Sequence, residues 1–331
     1  MGDIARDCQI GAETFRIAPI GDDRTAQVEE LFARVFGAAP ASGWHAWKYG
    51  ILGGTATGLW NAHEELVAHY AGFPRRLQWQ GEALEAIQIG DVMVAPEIRG
   101  ILTRRGPFFQ VCTHFFGARV GAGLPYALAF GFPNARAMRL GVALNLYRDL
   151  GTVHQVAWPA RQTRLPFGWA WSPVAPGPDL AQAVAQAWRA MAQDFSSLVL
   201  GVRDSSYIQR RFVQRPDRTY QFFRLHRWLP GSTAAVAVLR LTPGQAELLD
   251  VIGPRNRFPL VTRAAASEAA RTGAAGLSAW GSPAASEVFL RCGATVTGVA
   301  AHLAIAQCAA LSADRINAAA WWWMGGDTEF L

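Results

Sequence analysis

Apolar positions in the first 160 residues switch between two periods, and each switch marks an element. Phe15-Arg-Ile-Ala-Pro-Ile reads as a short strand. From Asp22 to Phe36, Val28, Leu31, Phe32, Val35 and Phe36 then recur at helical spacing, and Asp22 or Asp23 is placed to cap that helix. Strand character returns over 58–60, 65–74, 75–79 and 82–94. A helix is predicted over 107–121, a strand over 126–132 and a second helix behind it running to Gly151. Strand, helix, antiparallel meander, helix and strand is the order of an α/β (α+β) mixed sheet with helices on both faces.

The second half repeats the pattern. Trp44-x-x-Trp47-Lys48-Tyr49 is echoed by Tyr207-x-x-Arg210-Arg211-Phe212. A hairpin over 222–241, the strand Ala246-Glu-Leu-Leu-Asp250-Val-Ile-Gly and a helix over 264–272 follow in the same sequence as before. Gly276-Leu-Ser-Ala-Trp-Gly-Ser-Pro and the helix from Ser286 parallel Ala127-Leu-Ala-Phe-Gly-Phe-Pro and its helix. A fixed order of elements recurring at this distance predicts tandem domains. The expected division is 1–157, a Pro- and Trp-rich linker at 158–179, and 180–331.

Composition narrows the class. With 331 residues, 51% hydrophobic and 17% charged, the chain has enough apolar material for two ordinary cores. No apolar run reaches the roughly 18 residues of a membrane span, and Met1-Gly-Asp-Ile-Ala-Arg-Asp is no signal sequence, so a cytoplasmic protein is expected. Cys8, Cys112, Cys292 and Cys308 are too dispersed for a metal or redox motif and read as buried thiols. The net charge of +6 rests on arginine, with Lys48 the one lysine. Since the arginines form no basic run longer than a pair, an anionic cofactor is preferred to nucleic acid as the reason. Trp158, Trp169, Trp171 and Trp321-Trp-Trp323 read as packing of linker and tail, with an aromatic wall for a hydrophobic acyl or acceptor group as the alternative.

The stretch Ile87-Gln-Ile-Gly-Asp91-Val-Met93-Val94-Ala-Pro96-Glu-Ile-Arg99-Gly100 carries most of the chemistry. A strand that stops at Pro96 cannot continue its ladder. The basic, glycine-containing loop after it leads into a helix N-terminus, where backbone N–H groups and the dipole favour phosphate. Val-x-Pro-x-x-Arg-Gly resembles the acyl-CoA-binding motif of the GNAT acyltransferases, and Leu128-Ala-Phe-Gly-Phe-Pro-Asn134 resembles that family's fifth strand and the start of its next helix. The resemblance implies tandem GNAT-like domains of bacterial type and an acyl-CoA co-substrate, acetyl-CoA first. It implies Arg99, Gly100, Arg104, Arg105 and Gly106 around the phosphates, and the backbone of Met93 and Val94 at the thioester and CoA arm. The chain differs from the family pattern in a loop about four residues longer and in Gly141, which stands where the family has an acid Tyr. The second half has no Arg-Gly pair after Pro254, so it is expected to bind no CoA and to cover one side of a substrate cleft.

Acyl transfer to an amine needs a bound donor, an aligned neutral amine, a carbonyl polariser and a path for the proton. Asp91, in an otherwise apolar strand, is a candidate base or anchor for a cationic amine; its other reading is a strand-entry residue facing solvent. Tyr147 is the nearest phenol to the vacant acid position, but six residues is no whole number of helical turns, which favours a core or rim aromatic. Asn134 is read as a helix cap, and is carried as a donor contact only through the resemblance. No metal is expected. The predicted activity is direct transfer from acyl-CoA to a small-molecule or peptide amine. The alternatives are a long-chain acyl-CoA or acyl-carrier-protein-dependent N-acyltransferase, and a catalytically silent binding module.

Overall fold

The computed structural model describes residues 4–228, 232–306 and 320–331; Cys308 lies outside them. The chain runs β1 (Arg6–Ile10), β2 (Glu13–Pro19), α1 (Thr25–Phe36), β3 (Thr55–Trp60), β4 (Leu66–Trp79), β5 (Glu82–Val94), α2 (Pro107–Arg119), β6 (Leu128–Gly131), α3 (Ala135–Ala143) and β7 (Tyr147–Pro159). It continues with β8 (Trp169–Pro173), α4 (Pro178–Asp194), β9 (Val199–Gly201), α5 (Ser205–Ile208), β10 (Gln221–Arg227), β11 (Thr233–Thr242) and β12 (Gln245–Ile252). Last come α6 (Phe258–Arg271), β13 (Gly276–Gly281), α7 (Pro283–Arg291), β14 (Thr295–Ala306) and β15 (Trp321–Trp322). Two π-helical turns, Ala46–Ile51 and Gln209–Val213, fall on the two motifs that echo one another in the sequence.

Two compact units each draw on three stretches of chain, and their described residues are 4–75, 84–150 and 302–306 in the first and 76–83, 151–228, 232–301 and 320–331 in the second. In the first unit the strands lie in the order β1-β2-β3-β4-β5-β6-β14, with β5 and β6 parallel and the hairpins antiparallel. In the second the order is β7-β13-β12-β11-β10-β8, again with one parallel pair, β12 and β13. The repeat is therefore one of topology, except at its last strand. β14, which closes the second repeat in sequence, pairs with β6 through Ala304↔Gly131. β7, which closes the first, pairs with β13 from Gly276↔Pro159 to Gly281↔His154. The stretch 158–179 holds the end of β7 and all of β8.

Each unit has its own core. Ile17, Leu31, Leu59, Tyr70, Ile87, Val111 and Phe115 fill the first. Val184, Met191, Val238, Leu248, Val251, Phe258 and Phe289 fill the second, where Trp322 joins them. Val28 and Leu31 of α1 face inward, as their spacing predicts. The helix is not capped by an aspartate: Asp22–Arg24 forms a 3₁₀ turn, and Arg24 is the N-cap without a side-chain bond.

Residues 144–151 depart from the sequence expectation of helix. α3 ends at Ala143, Asn145 takes a left-handed φ of 59°, and β7 begins at Tyr147. The turn brings the Tyr147 ring over Gly141, where an added Cβ would lie 2.0 Å from ring carbon Cδ2. The ring thus fills the space a side chain at 141 would need, which is the physical reason for glycine there. The Tyr147 hydroxyl bonds the Tyr70 hydroxyl at 2.7 Å inside the core, and burial pushes both phenols well above their ordinary range. Gly141→Ala is expected to lower stability by about 1–3 kcal/mol, the usual effect of overfilling a packed core. An unchanged urea midpoint would show instead that the ring moves aside freely.

Candidate active site

The parallel ladder between β5 and β6 runs from Ala86↔Leu128 to Ile89↔Gly131 and stops there, while β5 continues to Val94. Beyond Ile89 the two strands part. A strand without a neighbour on one side presents N–H and C=O groups to whatever enters the gap. Met93 is buried by its side chain, so its backbone is what it offers there. On the far side of the strand end, the Ala95 N–H is tied to the Val67 carbonyl of β4 at 2.8 Å, which anchors the start of the loop.

Asp91 sits in this free stretch with φ of 49°, a left-handed conformation that is uncommon outside glycine and that aspartate, asparagine and histidine adopt more readily than other side chains. Its surroundings hold it there. The His69 ring nitrogen Nδ1 lies 2.6 Å from the Asp91 backbone carbonyl, and since a carbonyl only accepts, Nδ1 carries the proton. Nε2 is then an acceptor, 3.3 Å from the Tyr49 hydroxyl. That hydroxyl also lies 3.1 Å from Asp91 Oδ2, while Lys48 Nζ donates to Oδ1 at 2.6 Å. Both partners of the ion pair are nearly closed to solvent, with side-chain exposures of 5% and 7%.

The π-helical turn Ala46–Ile51 explains how Lys48 and Tyr49 reach the same carboxylate. Trp47 is buried beneath it, and Lys48 lies over the faces of Trp44 and Phe73, 5.3 and 5.1 Å from their centroids. Aromatic faces attract an ammonium and help hold it out of water. His45 stacks on Tyr49 at 4.6 Å and completes the aromatic wall. Burial lowers the pKa of His69 from its ordinary value, opposed by its bond to the Asp91 carbonyl. The imidazole is therefore neutral at pH 7, with its Nε2 lone pair turned to Tyr49.

The loop after Pro96 is exposed at Arg99, Gly100, Arg104 and Arg105 and buried at Gly106. A Cβ at Gly106 would lie 1.9 Å from the Ile101 carbonyl oxygen, so the extra residues double back against the helix start and only glycine fits. Gly106 is the N-cap of α2, Pro107 opens the helix, and the first turn has no acidic residue. Arg34 pairs with Glu97 and fastens the loop to α1. Along α2 a cleft of about 450 Å³ is bounded by Arg104, Phe109, Thr113, Phe116, Leu144 and Asn145. Asn134 caps α3, its side-chain oxygen accepting from the Ala137 N–H at 2.9 Å.

The structure thus brings Asp91 beside Met93 and Val94, and groups Arg99, Gly100, Arg104, Arg105 and Gly106 in one loop before α2. Asp91 is engaged by Lys48 rather than facing solvent, and Tyr147 is enclosed with Tyr70 in the core. Lys48, Tyr49 and His69 were not singled out by sequence. One signal pointed to the first: the single lysine of an arginine-rich chain lies in the site. Among the described residues no cluster of three or more His, Cys, Asp or Glu is placed to hold a metal ion, and no helix is long and apolar enough to cross a membrane.

Two outcomes follow from the geometry. Lys48→Met strands the buried Asp91 charge and is expected to cost about 3–5 kcal/mol. The double variant with Asp91→Asn should be more stable than Lys48→Met alone by urea unfolding, and the reverse order would show that the pair is not the partner of record. His69 protonates in the unfolded chain near pH 6.5 and lower in the folded one. Its neutral state therefore stabilises the fold fully above about pH 6.5 and loses that contribution as pH falls below it. Melting temperatures between pH 5 and 8 should show this acid limb, and His69→Gln should flatten it.

Residues 16–141 match the family described as acetyltransferase (GNAT) domain. No curated protein matches the sequence. Among solved structures, the fold resembles an Enterococcus faecalis protein described as a probable N-acyltransferase (14% identity, TM-score 0.67, covering 88% of this chain and 72% of that one). It also resembles a GCN5-related N-acetyltransferase from Kribbella flavida (16%, TM-score 0.61, 88% and 71%). A third similar structure is Saccharomyces cerevisiae N-myristoyltransferase with bound myristoyl-CoA (11%, TM-score 0.58, 91% and 84%). Residues 16–141, which hold the parted strands, the basic loop and the buried Lys48–Asp91 pair, thus match a GNAT acetyltransferase domain, and the fold of GCN5-related N-acetyltransferase structures extends over most of the chain.

Proposed function

We propose that the first unit is an acyl-CoA-dependent N-acyltransferase that moves an acyl group, acetyl in the simplest case, to an amine by direct attack on the thioester. The observation that carries this reading is the parting of β5 from β6 after Ile89, beside the Lys48–Asp91–Tyr49–His69 network. The donor lies in the gap, where the backbone of Met93 and Val94 polarises the thioester carbonyl and aligns the CoA arm. Its phosphates meet Arg99, Gly100, Arg104, Arg105 and Gly106 at the start of α2, and the cleft along α2 takes the nucleotide end.

The acceptor amine enters on the Asp91 side. Asp91, matched by Lys48, anchors it as an ammonium, and the proton must leave before attack. The Tyr49 hydroxyl turns its one proton from Asp91 Oδ2 to His69 Nε2. An N–H bond of the ammonium breaks as the Tyr49 oxygen takes that proton while its own passes to Nε2, whose ring keeps Nδ1–H on the Asp91 carbonyl. The amine then adds to the carbonyl carbon, and the C–S bond breaks as the adduct collapses to the amide. His69 returns its proton to solvent, and the second proton shed by the nitrogen passes through water to the departing CoA thiolate. With a thiol pKa near about 8.5 that step needs no tyrosine acid, so Tyr147 has no part in the chemistry.

Calorimetric titration with CoA tests the donor half. Arg99→Ala and Arg104→Ala should each weaken binding by about 1.5–3 kcal/mol, and unchanged affinity in both would sink the assignment. For the acceptor half, a screen of amines by release of free CoA provides the assay. Asp91→Asn and His69→Gln are then expected to lower turnover by about 10²–10⁴ with CoA affinity intact. Near-wild-type rates in both would remove the network from the mechanism.

A further inference from the structure

In the second unit the strands equivalent to β5 and β6 part in the same way. β12 and β13 are joined at Glu247↔Ser278 and Leu248↔Ala279, after which β12 runs on to Ile252 and β13 to Gly281. That gap is filled by the protein itself. Trp321 and Trp322 pair with Val199 and Leu200 of β9, and Met324 bridges Gly281 at the end of β13. The Ser282 N–H donates to the Trp323 carbonyl at 3.0 Å, and its hydroxyl donates to the Trp321 carbonyl at 2.6 Å. The turn Gly325–Asp327 then crosses β12 so closely that a Cβ at Gly326 would lie 3.0 Å from the Leu249 carbonyl oxygen.

The side chains around the gap are specific to this occupant. Arg203, fully buried, joins Asp250 of β12 to Asp327 of the segment. Arg211 occupies in its π-helical turn the place Lys48 has in the first. Its guanidinium donates to the carbonyls of Gly326, Thr328 and Leu331. Tyr207 adds a bond to the Gly326 carbonyl at 2.8 Å and Tyr220 one to Leu331 at 2.9 Å. Where the first unit has Tyr49, with its hydroxyl, this one has Phe212, and the residues that would serve a reaction serve a peptide backbone instead.

We infer that the second unit is a peptide-binding cleft occupied in cis by residues 321–331, and that this segment stands where a donor would lie, leaving the second unit unable to take acyl-CoA. The bonds run mainly to backbone carbonyls, as strand-addition recognition of a peptide does, and the two glycines allow the close crossing of β12. The absence of a glycine pair after Pro254 is consistent with a cleft that no longer meets phosphate.

Calorimetric titration of the intact chain with acetyl-CoA, followed by hydrogen exchange with and without saturating acetyl-CoA, tests this. Residues 321–331 are expected to exchange far more slowly than an unstructured peptide, at the same rate with and without acetyl-CoA, with no more than one equivalent bound. Two equivalents, or loss of protection in the segment on adding acetyl-CoA, would overturn the inference, as would free-peptide exchange in the ligand-free chain. No binding at all with a protected segment would defeat the donor reading of the first unit and leave this one standing. Arg211→Ala should speed exchange of the segment by about tenfold or more while α2 is unchanged; an unaltered rate would remove Arg211 as an anchor.

Discussion

A backbone carbonyl in a left-handed residue organises the first unit. At Asp91 the chain leaves the regular ladder with φ of 49°, a conformation that costs free energy in any residue with a Cβ and persists only where neighbours over-determine it. His69 fixes the carbonyl and Lys48 and Tyr49 fix the carboxylate, so both ends of the residue are held. The ladder to β6 has ended two residues earlier. The opening between the strands and the polar network at its edge are thus consequences of one local distortion, stabilised from three directions.

Burying Lys48 and Asp91 together has a desolvation cost that the ion pair offsets only through good geometry and added hydrogen bonds. The aromatic faces of Trp44 and Phe73 and the Tyr49 hydroxyl supply those. Arginine could not simply replace this lysine. A compact ammonium fits between two rings and one carboxylate oxygen, whereas a guanidinium spreads five donors in a plane. The second unit shows the other choice: Arg211, at the equivalent place, uses that spread to hold three carbonyls at once.

The two repeats share their topology and diverge in what enters the gap between their parallel strands. In the first, the gap leads to an exposed basic loop and a helix start free of acidic residues. In the second, Trp321 to Leu331 supplies the missing backbone partners, and Trp322 and Trp323 are fully buried in doing so. Unpaired strand groups must be satisfied by something. A unit that closes its gap with its own chain satisfies those groups permanently, and one that leaves it open keeps them available to a ligand.

Much of the fold was legible in the chain because its signals are local. Alternation and helical spacing marked the elements, the paired motifs around Trp44 and Tyr207 exposed the repeat, and Val94-Ala-Pro96 to Gly106 identified the loop by the chemistry of proline, arginine and glycine. Three things depended on distant contacts. Strand exchange between β7 and β14 leaves no local trace, since either strand is hydrophobic enough to close either sheet. The turn at Asn145 overrode a helical pattern because the Tyr147 ring found room over Gly141. The network at Asp91 joins residues 48, 49, 69 and 91 across separate elements, and which carboxylate is free and which is paired is set by burial and distance. Sequence alone determined most of the element types and the basic, glycine-containing character of the loop, which follow from backbone preference and side-chain charge; tertiary structure alone decided the partner of Asp91 and the segment that fills the gap of the second unit, because desolvation and hydrogen bonding act only between groups that folding has brought together.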